Sequence, residues 1–201
     1  MDRHWLLSNT CYGNRLPGDV RGFVGRVWEH RSLDPEQKPR VLHNGPGTPC
    51  DESIPGLEEA ARERMRGPAI RLTREHAKAL LSQFQETARF RGWTIWAVAI
   101  MPDHFHLVVS VPGDPSPSKV LGDFKSWGTR SLSTRFGVPK SETWWTQHGS
   151  KRKLPDDAAI TAAAHYVLYE QPDPLLTWSP ATGLRYGRPP RPGKGLASVE
   201  A

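Results

Sequence analysis

From Thr73 onward the apolar residues fall into two periods, first helical and then alternating. Ala77, Leu80, Leu81, Phe84 and Ala88 recur at 3.6-residue spacing, with Lys78, Gln85 and Arg89 off the stripe, which predicts a helix opened by Thr73 and stopped at Gly92. "WTIWAVAI" and "HFHLVVSV" follow, two β-rich runs separated by "MPD", the pattern of a strand, a tight turn and a second strand. Beyond Pro112 and Gly113, Ser116 and Pro117 open a second helix whose stripe is Val120, Leu121, Phe124 and Leu132. "TWWTQHGSKRKL" (Thr143 to Leu154) reads as a last strand. Pro155, Asp156 and Asp157 then fit the first turn of a final helix running to about Gln171, where carboxylates oppose the macrodipole.

Upstream, residues 4–9 form a short apolar strand, and "LEEAARERMRG" a short charged helix. The order strand, helix, strand, strand, helix, strand, helix predicts an α+β fold. It is that of a ferredoxin-like split βαβ antiparallel sheet with helices on one face, plus a C-terminal helix. A single domain is expected over residues 1–178, with a loop-rich insertion at about 25–72 that lacks a sustained period. Residues 179–201 are basic, rich in Pro and Gly, and expected to be a disordered tail.

Composition changes this picture in three respects. With 18 Gly and 19 Pro among 201 residues, much of the chain must be turns and connections. A net charge of +6 suits a polyanionic partner, because counterion release drives such association. No run is long enough to span a membrane, and Cys11 and Cys50 lack any Cys-x-x-Cys spacing. The expectation is a cytoplasmic protein with free thiols, associated with the nucleoid through DNA.

Candidate chemistry begins at "IMPDHFHLVV". Residues i and i+2 of a strand share a face, so His104 and His106 lie side by side while Phe105 points the other way. Two imidazoles cannot both sit without partners in a dry core, so the face is either wet, as in a solvated hairpin, or holds a metal. The final helix adds a second cluster. Ile160, Ala164, Val167 and Leu168 form its apolar face. Tyr166 and Glu170, four residues apart, share another flank, led by Ala159, Ala162 and Ala163. Small residues beside a tyrosine let a bulky substrate approach its hydroxyl, and a carboxylate one turn away could serve as a metal ligand. By helical phase Tyr169 points away from Ile160, toward solvent.

"AVAIMPDHFHLVVSVPGDP" together with the later "HYVLYEQ" resembles the HUH single-tyrosine transposases of insertion sequences, most closely their REP-associated tyrosine transposase branch. "YGNRLPGDVRGFV" is similar to the loop after their first strand, and "TWWTQHGSKRKL" to their final strand. The resemblance implies that His104 and His106 are metal ligands for Mg²⁺ or Mn²⁺ and that Tyr166 is the nucleophile. It implies a third ligand four residues after the tyrosine. The family has Gln or Asn there and this chain has Glu170, followed by Gln171. Glu170 is favoured because it shares the flank of Tyr166, whereas Gln171 falls over the apolar face. Asp103 stands where Asn is usual.

The activity so implied is cleavage and rejoining of single-stranded DNA through a 5′-phosphotyrosine, at hairpin-flanked element ends, by a homodimer or a monomer. Lys119, Lys125, Arg130 and Arg135, with Lys151, Arg152 and Lys153, are candidate backbone contacts; of these the "SKRK" cluster is preferred. Two other readings stay open: a non-catalytic or domesticated DNA-binding derivative of the same fold, and a metal-dependent hydrolase in which the His pair activates water.

Overall fold

A computed structural model describes residues 2–19, the backbone of 25–28 and 40–43, and residues 55–190. Cys50, residues 20–24 at the end of "YGNRLPGDVRGFV", and the end of the chain from 191 lie outside the described residues. The elements in chain order are β1 (Arg3–Thr10), β2 (Gly25–Trp28), β3 (Arg40–His43), α1 (Pro55–Glu63), α2 (Arg74–Arg91), β4 (Thr94–Ile100) and β5 (His104–Val111). After these come α3 (Pro117–Phe136), β6 (Ser150–Leu154), α4 (Asp157–Tyr169), β7 (Leu176–Ser179) and β8 (Gly183–Tyr186).

Six strands form one antiparallel sheet in the order β6-β1-β5-β4-β7-β8. β1 and β4 both run antiparallel to the β5 that separates them, and α2 connects them, so the first four strands are a split βαβ sheet as the sequence order predicts. Two expectations change. The disordered tail cannot begin at 179, because Leu176–Ser179 pairs with β4 and Gly183–Tyr186 pairs with β7, extending the sheet at its β4 edge. The insertion carries a two-stranded ribbon, β2 with β3, where no period was visible in the sequence.

Helix ends follow local chemistry. The Thr73 side chain accepts the N–H of His76 while the His76 ring accepts the N–H of Thr73, a reciprocal capping box. At the other end Gly92 turns left-handed (φ 67°), a conformation glycine adopts without a Cβ clash, and its N–H reaches the carbonyls of Ala88 and Arg89. Asp156 opens α4 by accepting the N–H of Ala159 at 2.8 Å.

The sheet separates two cores. On one side α2 and α3 pack on Leu7, Val98, Phe105, Leu107 and Val109, around the rings of Phe84 and Phe124. On the other side α4 packs alone, on Leu6, Ala97, Ala99, Val108 and Leu154. Strand alternation therefore sends Phe105 into the α2/α3 core and turns His104 and His106 toward α4.

Candidate active site

The two histidines stand at the start of β5, just after the turn Pro102–Asp103. That turn is fixed from several sides. Met101 N–H donates to the His104 carbonyl at 2.8 Å, Cys11 N–H to the Asp103 carbonyl at 2.7 Å, and Leu72 N–H to the Pro102 carbonyl at 2.6 Å. The histidine rings lie 5.0 Å apart, centroid to centroid. Their cross-strand neighbours explain their partners: His106 pairs with Ser8 on β1 and with Ala99 on β4. Ser8 Oγ sits 2.5 Å from His106 Nδ1, and Ala99 is too small to crowd the ring.

His104 is held in a parallel way, its Nδ1 2.5 Å from Asp103 Oδ1. Arg71 approaches the other Asp103 oxygen at 3.6 Å. The bond to His104 and the charges around it, Arg71 among them, hold the Asp103 carboxyl below the ordinary carboxylate range. With Nδ1 of each ring occupied, Nε2 is the nitrogen left to each imidazole for a further contact. Burial, and then the nearby His104, push the His106 ring down to about 4, while a hydrogen bond from the Gln171 side chain acts in the opposite sense. His106 is therefore neutral at physiological pH, the form in which imidazole binds a metal.

α4 carries the phenol to this pair. The Tyr166 ring lies 5.8 Å from that of His106, and 44% of the residue is exposed. Ala159, Ala162 and Ala163, one and two turns earlier on the same flank, do not fill the space above the sheet. A cleft of about 450 Å³ results, with Leu6 and Leu154 as its apolar floor and Tyr166 and His106 on its lining. Ser150 and Arg152 of β6 reach the same space. β6 is brought this close by Gly149, where a Cβ would stand 2.4 Å from the Ser8 carbonyl oxygen and 2.5 Å from Asn9 Oδ1.

Glu170 is the C-cap of α4, and its carboxylate lies 3.9 Å from His165 Nδ1. Among the described residues no group of three His, Cys, Asp or Glu side chains converges. Gln171, the next residue, is buried near His106, and its Nε2 donates to the Tyr166 carbonyl at 3.3 Å. Arg188, beyond β8, fixes this segment by donating Nε to the Gln171 carbonyl at 3.0 Å, with Nη2 on the same oxygen.

The expectation for Tyr169 is corrected: it is buried, belongs to the α4-side core and packs against His165 at 4.9 Å. As the last residue of the helix it is placed by what the helix end packs against, not by phase.

The basic residues divide by face. Leu6 pairs with Arg152, and Leu7 and Trp5 pair with Lys151 and Lys153, so Arg152 faces the cleft while Lys151 and Lys153 face the α3 side. Lys125 donates its ammonium to the carbonyls of Thr146 and Gln147, at 2.7 and 3.0 Å. Arg130 lies over the Trp127 ring at 5.1 Å. Of the seven candidate DNA contacts, Arg152 alone lines the cleft beside Tyr166. Ser8, Gln171 and Arg188 are the site residues that sequence reasoning missed or set aside. Ser8 carries no local signal, since only the β1–β5 register brings it to His106.

A pair of imidazoles with an amide side chain near them is a donor set that suits a divalent cation accepting mixed nitrogen and oxygen ligands. Beside it stand a half-exposed phenol and a cleft, an arrangement able to bring a nucleophile to a substrate held at a cation.

Comparison with known proteins finds a similarity to one family and to a solved structure. No curated protein is significantly similar to the chain. A solved structure of a REP-associated tyrosine transposase bound to a REP hairpin aligns with 83% of this chain and 64% of its own, at 12% identity and a TM-score of 0.40. The chain thus spans less than two thirds of that protein. The family model described as "Transposase IS200 like" matches residues 66–153, which run from the approach to α2 through β6 and stop short of Tyr166. The segment that carries both histidines, residues 66–153, is thus similar to the IS200-like transposases.

Proposed function

We propose that the chain is a DNA strand transferase in which Tyr166 attacks a phosphate of single-stranded DNA held beside His104 and His106. The observation that carries this reading is the approach of the Tyr166 ring to 5.8 Å from that of His106 within a single chain. His104, His106 and Gln171 would hold a divalent cation, Mg²⁺ or Mn²⁺, which when bound would offset charge on the scissile phosphate. Tyr166 supplies the nucleophile. Its oxygen forms the bond to phosphorus, the bond to the 3′ oxygen breaks, and a 5′-phosphotyrosine and a free 3′-hydroxyl remain. That bond conserves the phosphodiester, so attack by another 3′-hydroxyl on the phosphotyrosine rejoins strands without ATP.

Asp103 and Ser8 set the ring orientations, and Arg188 sets Gln171. The proposed partner is an element end folded as a hairpin with an unpaired flank, consistent with the family and with the positive charge. Because the phenol and the imidazoles approach each other within one chain, the monomer is the simpler of the two expected assemblies for the proposed reaction. Among the described residues no helix is long and apolar enough to cross a membrane.

The test is incubation with Mn²⁺ and single-stranded oligonucleotides carrying the hairpins that flank the coding sequence, read on denaturing gels. A covalent protein–DNA adduct is expected, and Tyr166→Phe should abolish it while hairpin binding persists. Cleavage with no adduct would favour the hydrolase, and binding with no cleavage the non-catalytic derivative.

A further inference from the structure

We propose that the cleft beside Tyr166 is a pocket for one unpaired nucleotide of the DNA strand, the one adjoining the attacked phosphate. The inference rests on the strand-transfer reading above and deepens it.

The cleft has two chemically distinct parts. Leu6, Leu154, Ala159 and Ala163 give it an apolar floor and wall, while Tyr166, His106 and Arg152 give it a polar rim. A nucleotide has the same division, with an apolar, flat base and an anionic phosphate. At about 450 Å³ the space is in the range of small-molecule pockets, which suits one nucleotide and not a base pair. A base can enter only when it is out of a stacked duplex, so the pocket selects unpaired DNA by shape.

Two side chains sharpen the assignment. Arg152 makes no hydrogen bond or ion pair with another described residue, so its guanidinium at the cleft is available to a phosphate oxygen, for which its planar fork is suited. Ala162 leaves its part of the wall open, so a larger residue there would project into the space the base needs. The half-exposed Tyr166 ring offers the base a face to pack on.

The experiment scans one abasic residue, position by position, along the unpaired flank of the hairpin oligonucleotide, and measures the rate of adduct formation with Mn²⁺. With the natural chain the rate should fall about tenfold at a single position next to the cut and change little elsewhere. Ala162→Phe should form adduct on the intact strand about tenfold more slowly and should no longer respond to the abasic position, because the pocket is filled. Hairpin affinity and thermal midpoint should be unaltered in that variant. An adduct rate that falls equally at all positions, or at none, would overturn the pocket and leave the strand-transfer reading standing. Failure to form an adduct on any strand would remove both.

Discussion

The two faces of the sheet are built from different materials. The α2/α3 side is closed by large rings: Phe84 lies 5.0 Å from Phe105 and 5.4 Å from Phe124, and all three are fully buried. The α4 side mixes aliphatic residues such as Leu6, Val108 and Ile160 with small ones, Ala97 and Ala99 on the sheet and Ala163 on the helix, and has the cleft beside them. Dense packing on one face carries stability, and its relaxation on the other leaves room for a histidine pair, a phenol and a substrate. β5 serves both faces through alternate residues, so neighbours in sequence should fail in different ways.

The largest expected effect tests that division on adjacent residues. Phe105→Ala opens a cavity in the α2/α3 core and should cost about 3–5 kcal/mol of unfolding free energy. That is a large part of the roughly 5–15 kcal/mol typical of a native domain. His106→Ala should cost about 1 kcal/mol, since it removes chiefly the bond to Ser8, and should abolish DNA cleavage. Urea unfolding of the two variants decides the matter. Equal losses of stability would mean that the α4 face is structural in the same sense as the other.

A smaller effect is expected within the α4 face. Gln171→Ala should weaken Mn²⁺ binding by at least about a hundredfold, beyond the roughly 10–100-fold that loss of an outer partner costs a metal site. Glu170→Ala should change it by no more than about threefold, because the carboxylate faces His165. Titration calorimetry with Mn²⁺ reads both. The reverse order would restore the carboxylate as the ligand and discard the placement of Gln171.

Gln171 also shows where the sequence stops being legible. α2 was readable because its caps are local: Thr73 and Gly92 act on residues within one turn. β4 and β5 were readable as β-rich apolar runs around a tight turn; burial alternates over the first four residues of each, and in β5 this alternation pairs His104 with His106. The last strand was read too long. Thr143 to Leu154 looks continuous, yet the ladder covers only Ser150–Leu154. Trp144 and Trp145 are both buried, which alternation does not allow, and Trp145 makes only an isolated bridge to Cys11. The segment after α4 was illegible for a related reason, since Gln171 is positioned by Arg188 from beyond β8. Arg188 lies in a segment whose composition reads as a tail, and only the β7–β8 pairing returns it to the site.

The smallest effect separates two basic residues that look alike in sequence. The amine of Lys125 is pushed from 10.5 down to about 8, by burial first and by Lys151 second, and it is engaged with two carbonyls on the α3 side. A folded state that binds the proton less tightly than the unfolded chain is disfavoured below the lower value and recovers above it. Between about pH 8 and 10.5 the unfolded chain holds more protons at this site, so its contribution to stability rises with pH. Relative to Lys125→Met, the natural chain should therefore gain about 1 kcal/mol across that window, a figure reduced because the amine is only partly shielded from water. Its DNA affinity and salt dependence should be unchanged by the substitution. Arg152→Gln should do the converse. It should leave the pH dependence of stability as it was and lower the slope of log affinity against log salt by about 0.7, the loss of one single-strand phosphate contact. If Lys125→Met lowers that slope as well, the strand reaches across the edge of the sheet to both faces, and the α2/α3 side is not the purely structural half that its packing indicates.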